Sequence, residues 1–247
     1  MTRIAATIAL LLLSAASLGD ARATPLVADL SNYRIDIDAR FIGTRLFLFG
    51  SRNENGDIIV VIRGPKREYT VRRKERTAGV WVNRRYIEFE AAPEFYAIAS
   101  SRPLAELSHP RLLDLLEIGS DTLLNVKKVS SRKLDVAEFQ TAFLENQYGQ
   151  GLYNQPQELQ FIGDSLFKAT FEFPDTIPKG DYHAEVYLLQ NDQLVATQSI
   201  PINVRKVGLD GVITTLAHDS PIFYGLMCIL IALSAGWTAN RVFARMK

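Results

Sequence analysis

The chain has 247 residues, with 28 Lys and Arg against 27 Asp and Glu, so its formal net charge is only +1. Its one cysteine, Cys228, lies in an apolar run near the C-terminus, which excludes a disulfide-stapled scaffold and leaves stability to a hydrophobic core. Between the two ends lie about 195 residues, enough for one large domain or two small ones.

Residues 1–23 read as a secretory signal peptide. Arg3 gives the positive start, residues 4–18 are uncharged and apolar, and Ala21-Arg22-Ala23 is a small-x-small cleavage site, so cleavage is expected near Ala23. Residues 24–101 are strand-like and predict a first β-sandwich module. YRIDIDAR alternates, with Ile35 and Ile37 on one face and Asp36 and Asp38 on the other. TRLFLFG and DIIVVIRG flank Asn55-Gly56, a turn dipeptide that predicts a hairpin between them. EYTVRRK, GVWVN, RYIEFEA and EFYAIASS continue the series.

One part of this module stands out by charge. Residues 63–76 hold seven Lys or Arg and two Glu, a local net charge of +5, whereas the rest of 24–240 sums to −8. The field near this stretch is therefore positive at short range. Gly64-Pro65 reads as a turn. Tyr69 and Val71 face inward, and Arg72 to Arg76 lead into the turn at Thr77-Ala78-Gly79.

Residues 102–156 change to a helical pattern, expected as two or three short helices packed on the sheets. Pro110 can start one helix and Asp135 can cap another, with Val136, Phe139 and Phe143 on one face and Gly149 as its stop. Strands return at 157–207, the predicted second β module. Phe167, Ala169, Phe171 and Phe173 share a face, as do Tyr182, Ala184, Val186 and Leu188, and then Ile200, Ile202 and Val204. The turn ending at Tyr182 is similar to the tyrosine corner of immunoglobulin-like domains, and Pro93-Glu94-Phe95-Tyr96 is a candidate for a second such corner. The fold class expected is thus mostly β: immunoglobulin-like sandwich modules, a central helical insert and one C-terminal transmembrane helix.

Residues 208–221 form a juxtamembrane segment, and 222–240 carry no charge. At ~1.5 Å per residue this run nearly crosses a hydrocarbon core of ~30 Å. Ser220 and Pro221 suit its start, and Arg241, Arg245 and Lys247 in the 241–247 tail place that tail in the cytoplasm. The body has no Asn-x-Ser/Thr acceptor and no cysteine. The expected location is therefore a bacterial inner membrane, crossed once, with the body in the periplasm.

The three histidines, His109, His183 and His218, show no metal-ligand spacing, and neither a nucleophile elbow nor a glycine-rich phosphate loop occurs. No catalytic, cofactor-binding or metal residue is assigned. Asp181 with His183, and Asp36 with Asp38, keep a periplasmic hydrolase open as an alternative. Arg63, Lys66, Arg67, Arg72, Arg73, Lys74 and Arg76 are the candidate anion- or partner-binding residues. Export makes nucleic acid a poor partner. A membrane protein of the envelope or another anionic envelope component remains, beside the integral contact with the membrane. The competing reading is a charged strand surface that discourages edge-to-edge association, in a protein that serves as a structural spacer.

VVIRGPKREYTVRRKERTAGVWVN, then PEFYAIASSRPL, then YGL and GWTAN near the C-terminus, resemble a family of alphaproteobacterial transmembrane proteins with a signal peptide and a C-terminal membrane helix. The resemblance spans nearly the whole mature chain. It implies the same topology and organism class, and brings neither an activity nor catalytic residues to carry over. The function expected is a membrane-anchored, non-catalytic accessory protein that docks an envelope complex through its basic surface.

Overall fold

The computed structural model describes residues 25–77, 79–107, 110–131, 134–208 and 216–245. The expected signal peptide, Ala78 of the expected turn, His109 and residues 209–215 of the juxtamembrane segment lie outside them. Thirteen strands are described: β1 (Leu26–Leu30), β2 (Arg34–Ile37), β3 (Thr44–Arg52), β4 (Asp57–Arg63), β5 (Lys66–Thr77), β6 (Val80–Pro93), β7 (Tyr96–Ser100), β8 (Asn125–Val129), β9 (Gln157–Glu158), β10 (Gln160–Ile162), β11 (Leu166–Phe173), β12 (Gly180–Gln190) and β13 (Gln193–Lys206). The helices are α1 (Leu104–Leu107), α2 (Pro110–Leu115), α3 (Val136–Gly149) and α4 (Pro221–Arg245), with a 3-10 turn at Ser120–Leu123.

The alternation in β11 and β12 builds two facing sheets. Phe167, Ala169, Phe171 and Phe173 are buried on one face of β11, and Tyr182, Ala184, Val186 and Leu188 on one face of β12. The front sheet has the order β1-β3-β11-β10, and the central sheet β2-β13-β12-β4-β7-β9. Their inner faces share one core. β3 pairs with β11 and β4 with β12, so the two segments expected as successive modules contribute strands to the same two sheets. Asn191 and Asp192, both at positive φ, form the tight turn between β12 and β13.

The hairpin expected around Asn55-Gly56 does not form: β3 lies in the front sheet and β4 in the central one. The reason is in the side chains. β3 alternates, whereas Ile58, Ile59, Val60, Val61 and Ile62 of β4 are all fully buried. A strand apolar on both faces is driven to a position covered on both sides. Burying each such side chain contributes about 2 kcal/mol, before the cost of ordering the chain.

The cover on the second side is a third layer, made from the sheet β5-β6-β8 and from α1, α2 and α3. Ile59 and Val61 join Ile87, Phe89, Leu107, Phe139, Phe143 and Tyr153 in a second core. Asp135 caps α3 as expected, accepting from the Ala137 N–H at 3.0 Å. The helix runs through Gly149 and turns away at Gly151, whose φ is 69°. The 102–156 segment also contains β8, which the sequence reading missed because all five of its residues are exposed and show no alternation.

α4 begins at Pro221 as expected. Its residues Pro221–Ala239 are long and apolar enough to cross a membrane, and none of that window is covered by the rest of the chain.

Candidate partner-binding surface

The basic stretch is held by one long ribbon. β4 pairs with β7, and β5 with β6. Between the two pairs the ladder continues through Gly64 N–H to Phe95 O at 2.9 Å and Glu94 N–H to Pro65 O at 2.8 Å. The ribbon therefore bends at Gly64-Pro65 opposite Glu94-Phe95. Glycine is required at this bend, since a Cβ on Gly64 would lie 2.9 Å from Tyr182 Cε1 and 3.0 Å from Phe95 N. Phe95 turns into the front core and stacks on Phe173 at 4.7 Å. Beyond the bend, Tyr69 meets Phe143 edge-on at 5.0 Å, which fixes the inner face of β5 against α3.

β8 pairs with β6 only over Ile87–Glu90, and the Ser130 N–H closes that edge on Tyr86 O at 3.0 Å. From Arg72 to the turn at Gly79, and back to Arg85, the two strands pair only with each other among the described residues. Thr77 stands opposite Val80 in the register, so the chain reverses where expected, Ala78 lying outside the described residues, and GVWVN and RYIEFEA are parts of one strand. Arg85 stands opposite Arg73 in the register, so the return strand adds a cation the sequence reading missed. Reading β6 as two short strands hid it; the Arg84-Arg85 pair behind a tight turn was the available signal.

The seven candidate cations divide into three groups. Arg63 is withdrawn from the surface, its side chain 11% exposed. Its guanidinium pairs with Glu185, donates to Leu116 O at 2.7 Å and Glu117 O at 3.0 Å, and lies over the Tyr96 ring at 5.9 Å. Its Nε is buried with no partner among the described residues. Arg63 thus fastens the end of α2 to β4 and β12. Lys66, Arg67 and Arg73 are exposed but paired, with Glu117 at 3.1 Å, Glu94 at 3.1 Å and both Glu138 oxygens at 2.8 Å. Arg72, Lys74 and Arg76 are exposed and have no side-chain partner among the described residues. The two glutamates of the stretch are also engaged, Glu68 with Lys127 and Glu75 with Arg85. The charge left unpaired is therefore that of Arg72, Lys74 and Arg76, all on the self-paired end of the ribbon.

Tyrosines mark how tightly the base of the ribbon is packed. Burial pushes the Tyr96 phenol up to about 12, against the opposing influence of the Gly119 N–H bond and the Arg63 charge. Its hydroxyl accepts from Gly119 N at 2.9 Å, so the corner expected at 93–96 does not return to its own backbone. Tyr153 reaches Pro93 O instead, at 2.8 Å. Tyr182 does close the corner expected of it, donating to Pro178 O at 2.6 Å.

The residues of the alternative, catalytic reading are engaged in ordinary surface contacts or line an open cleft. Asp36 pairs with Arg34 and Arg205, and Asp38 accepts from the Arg40 N–H. Asp181 accepts from Asn203 at 2.7 Å. Asp181 and His183 line a cleft of about 530 Å³ with Arg63, Lys66, Glu185 and Tyr187. The Tyr187 hydroxyl donates to Glu185 at 2.9 Å, and no serine or threonine lines the cleft among the described residues. No cluster of three or more His, Cys, Asp or Glu suited to a metal occurs among the described residues.

Residues 25–245 match the family described as "Putative transmembrane protein (Alph_Pro_TM)". No curated protein and no solved structure matches the chain.

Proposed function

Since the chain belongs to this transmembrane family over nearly its whole length, we propose that it is a single-pass, membrane-anchored accessory protein that docks an envelope membrane complex without doing chemistry itself. On this reading the signal peptide is removed, α4 holds the protein in the inner membrane, and the β body stands in the periplasm. The Tyr182 corner supports an immunoglobulin-like character for the sandwich. The observation that carries the docking role is the self-paired end of the β5–β6 ribbon, which presents Arg72, Lys74 and Arg76 without acidic partners among the described residues in an otherwise acidic body. Exposed charges without partners act over about 8 Å in physiological salt, so the surface they read is an acidic face brought into contact.

The test is reversal of these three charges to glutamate in the full chain, followed by co-purification after crosslinking in intact cells. The docking reading predicts loss of the crosslinked membrane protein, with thermal unfolding unchanged because the three side chains make no ion pair or hydrogen bond among the described residues. The spacer reading predicts no loss, and that result refutes docking by this surface.

A further inference from the structure

The register of the sheets shows which end of the body lies within reach of α4. β13 ends at Lys206, beside Ile37 of the parallel strand β2, and the Val207 N–H is still bonded to Ile37 O at 2.9 Å. The helical turn that leads into α4 begins at Leu216. Residues 208–215 alone bridge the two, a reach of at most about 30 Å. The opposite end of the sandwich, at Asn191-Asp192, lies a further ~45 Å along β13, beyond that tether.

The tethered end has a distinct apex. The loop from β2 to β3 carries Ile42, which is 92% exposed, while its neighbour Phe41 packs against the core. Gly43 holds φ 96°, and a Cβ there would lie 2.7 Å from Phe173 O. Phe41 N–H donates to Asp38 O at 3.1 Å. The isoleucine is therefore thrust outward by a bonded turn. A single exposed isoleucine is ordinary on a soluble surface; here it stands at the end from which the chain leaves for its membrane helix. Arg40, Lys179 and Lys206 are exposed at the same end and have no ion-pair partner among the described residues. Of the acidic groups at this end, Asp36 is held by Arg34 and Arg205 and Asp181 by Asn203, which leaves Asp38 and Asp175 against the three cations, so the local balance is positive.

We propose that this end of the sandwich rests on the lipid surface of the membrane that α4 crosses, with Ile42 entering the boundary between head groups and acyl chains and Arg40, Lys179 and Lys206 on anionic head groups. The inference rests on the anchor reading of α4. Apolar insertion beside basic side chains is the usual chemistry of interfacial contact. The contact fixes the tilt of the body and so sets the height at which the ribbon meets its partner.

The experiment uses the full chain in phosphatidylcholine vesicles containing phosphatidylglycerol, in a Cys228→Ser background, with one fluorophore at Ala39→Cys, Asn191→Cys or Leu230→Cys. Quenching by lipids labelled in the acyl chain should be strongest at 230. At 39 it should exceed that at 191 by at least about twofold, and Ile42→Asp should remove the excess. Quenching at 230 with none above the 191 level at 39 overturns the proposal and leaves the anchor standing. Shielding at 39 from an aqueous quencher without lipid quenching also overturns it, in favour of contact with a second copy. No quenching at 230 defeats the anchor reading, and this inference with it.

Discussion

Replacing Arg63 by methionine separates the cation that builds the fold from those that face outward. Methionine keeps most of the apolar stem but removes the charge paired with Glu185 and the bonds to Leu116 O at 2.7 Å and Glu117 O at 3.0 Å. Hydrogen bonds from a charged donor contribute about 1.5–3 kcal/mol each, and breaking a buried ion pair costs about 3–5 kcal/mol. Glu185 is 28% exposed and regains water when its partner is lost, so these amounts do not add in full. The expected destabilisation is about 3 kcal/mol. Arg72→Met, which removes a cation with no side-chain partner, is expected to stay within about 0.5 kcal/mol of the parent. The assay is urea unfolding of the full chain in mild detergent, followed by intrinsic fluorescence, with hydrogen exchange of 110–119 as a second readout. An Arg63→Met midpoint equal to that of Arg72→Met refutes the division of the basic stretch into structural and outward-facing groups.

Gly64→Ala drives a methyl group to 2.9 Å from the Tyr182 ring and 3.0 Å from Phe95 N, so a loss of about 2 kcal/mol is expected by thermal unfolding, with Gly79→Ala at the exposed turn a milder comparison. Alkaline pH should also weaken the fold. Burial raises the phenols of Tyr96, Tyr153 and Tyr182 above the ordinary value near 10, Tyr96 to about 12. Below about pH 10 both folded and unfolded chains keep these protons and stability is complete. Above it the unfolded chain releases them first, so stability falls as pH rises towards 12. Urea midpoints that do not change between about pH 9 and 11 contradict this, as does phenolate absorbance from these residues before unfolding.

The sequence made the inner faces of β11, β13 and the first half of β12 legible because period-two alternation survives there; from Val186 to Leu189 β12 is buried on both faces, with Tyr187 and Leu189 in the second core. It also showed the Asp135 cap and the Tyr182 corner, which are local. Partner choice between strands was not legible. β4 reads as half of a hairpin from its Asn55-Gly56 turn, yet its five buried residues send it to another sheet, and only the third layer explains why. β8 gave no signal, since an exposed edge strand with two lysines looks like a loop. The charge of 63–76 was visible at once. Its meaning was not, because the acidic partners Glu94, Glu117, Glu138 and Glu185 lie between 27 and 122 positions away in the chain. Pairing at that distance is a property of the fold.

The claim on which the account depends is that α4 crosses the membrane with the ribbon on the outer side of it. Thiol labelling in a Cys228→Ser background tests this directly, with Lys74→Cys on the ribbon and Lys247→Cys in the tail. With the outer membrane permeabilised and the inner membrane intact, the account predicts that an impermeant maleimide labels position 74 and leaves 247 unlabelled until the inner membrane is broken. Labelling of 247 in intact spheroplasts, or of 74 only after lysis, contradicts it.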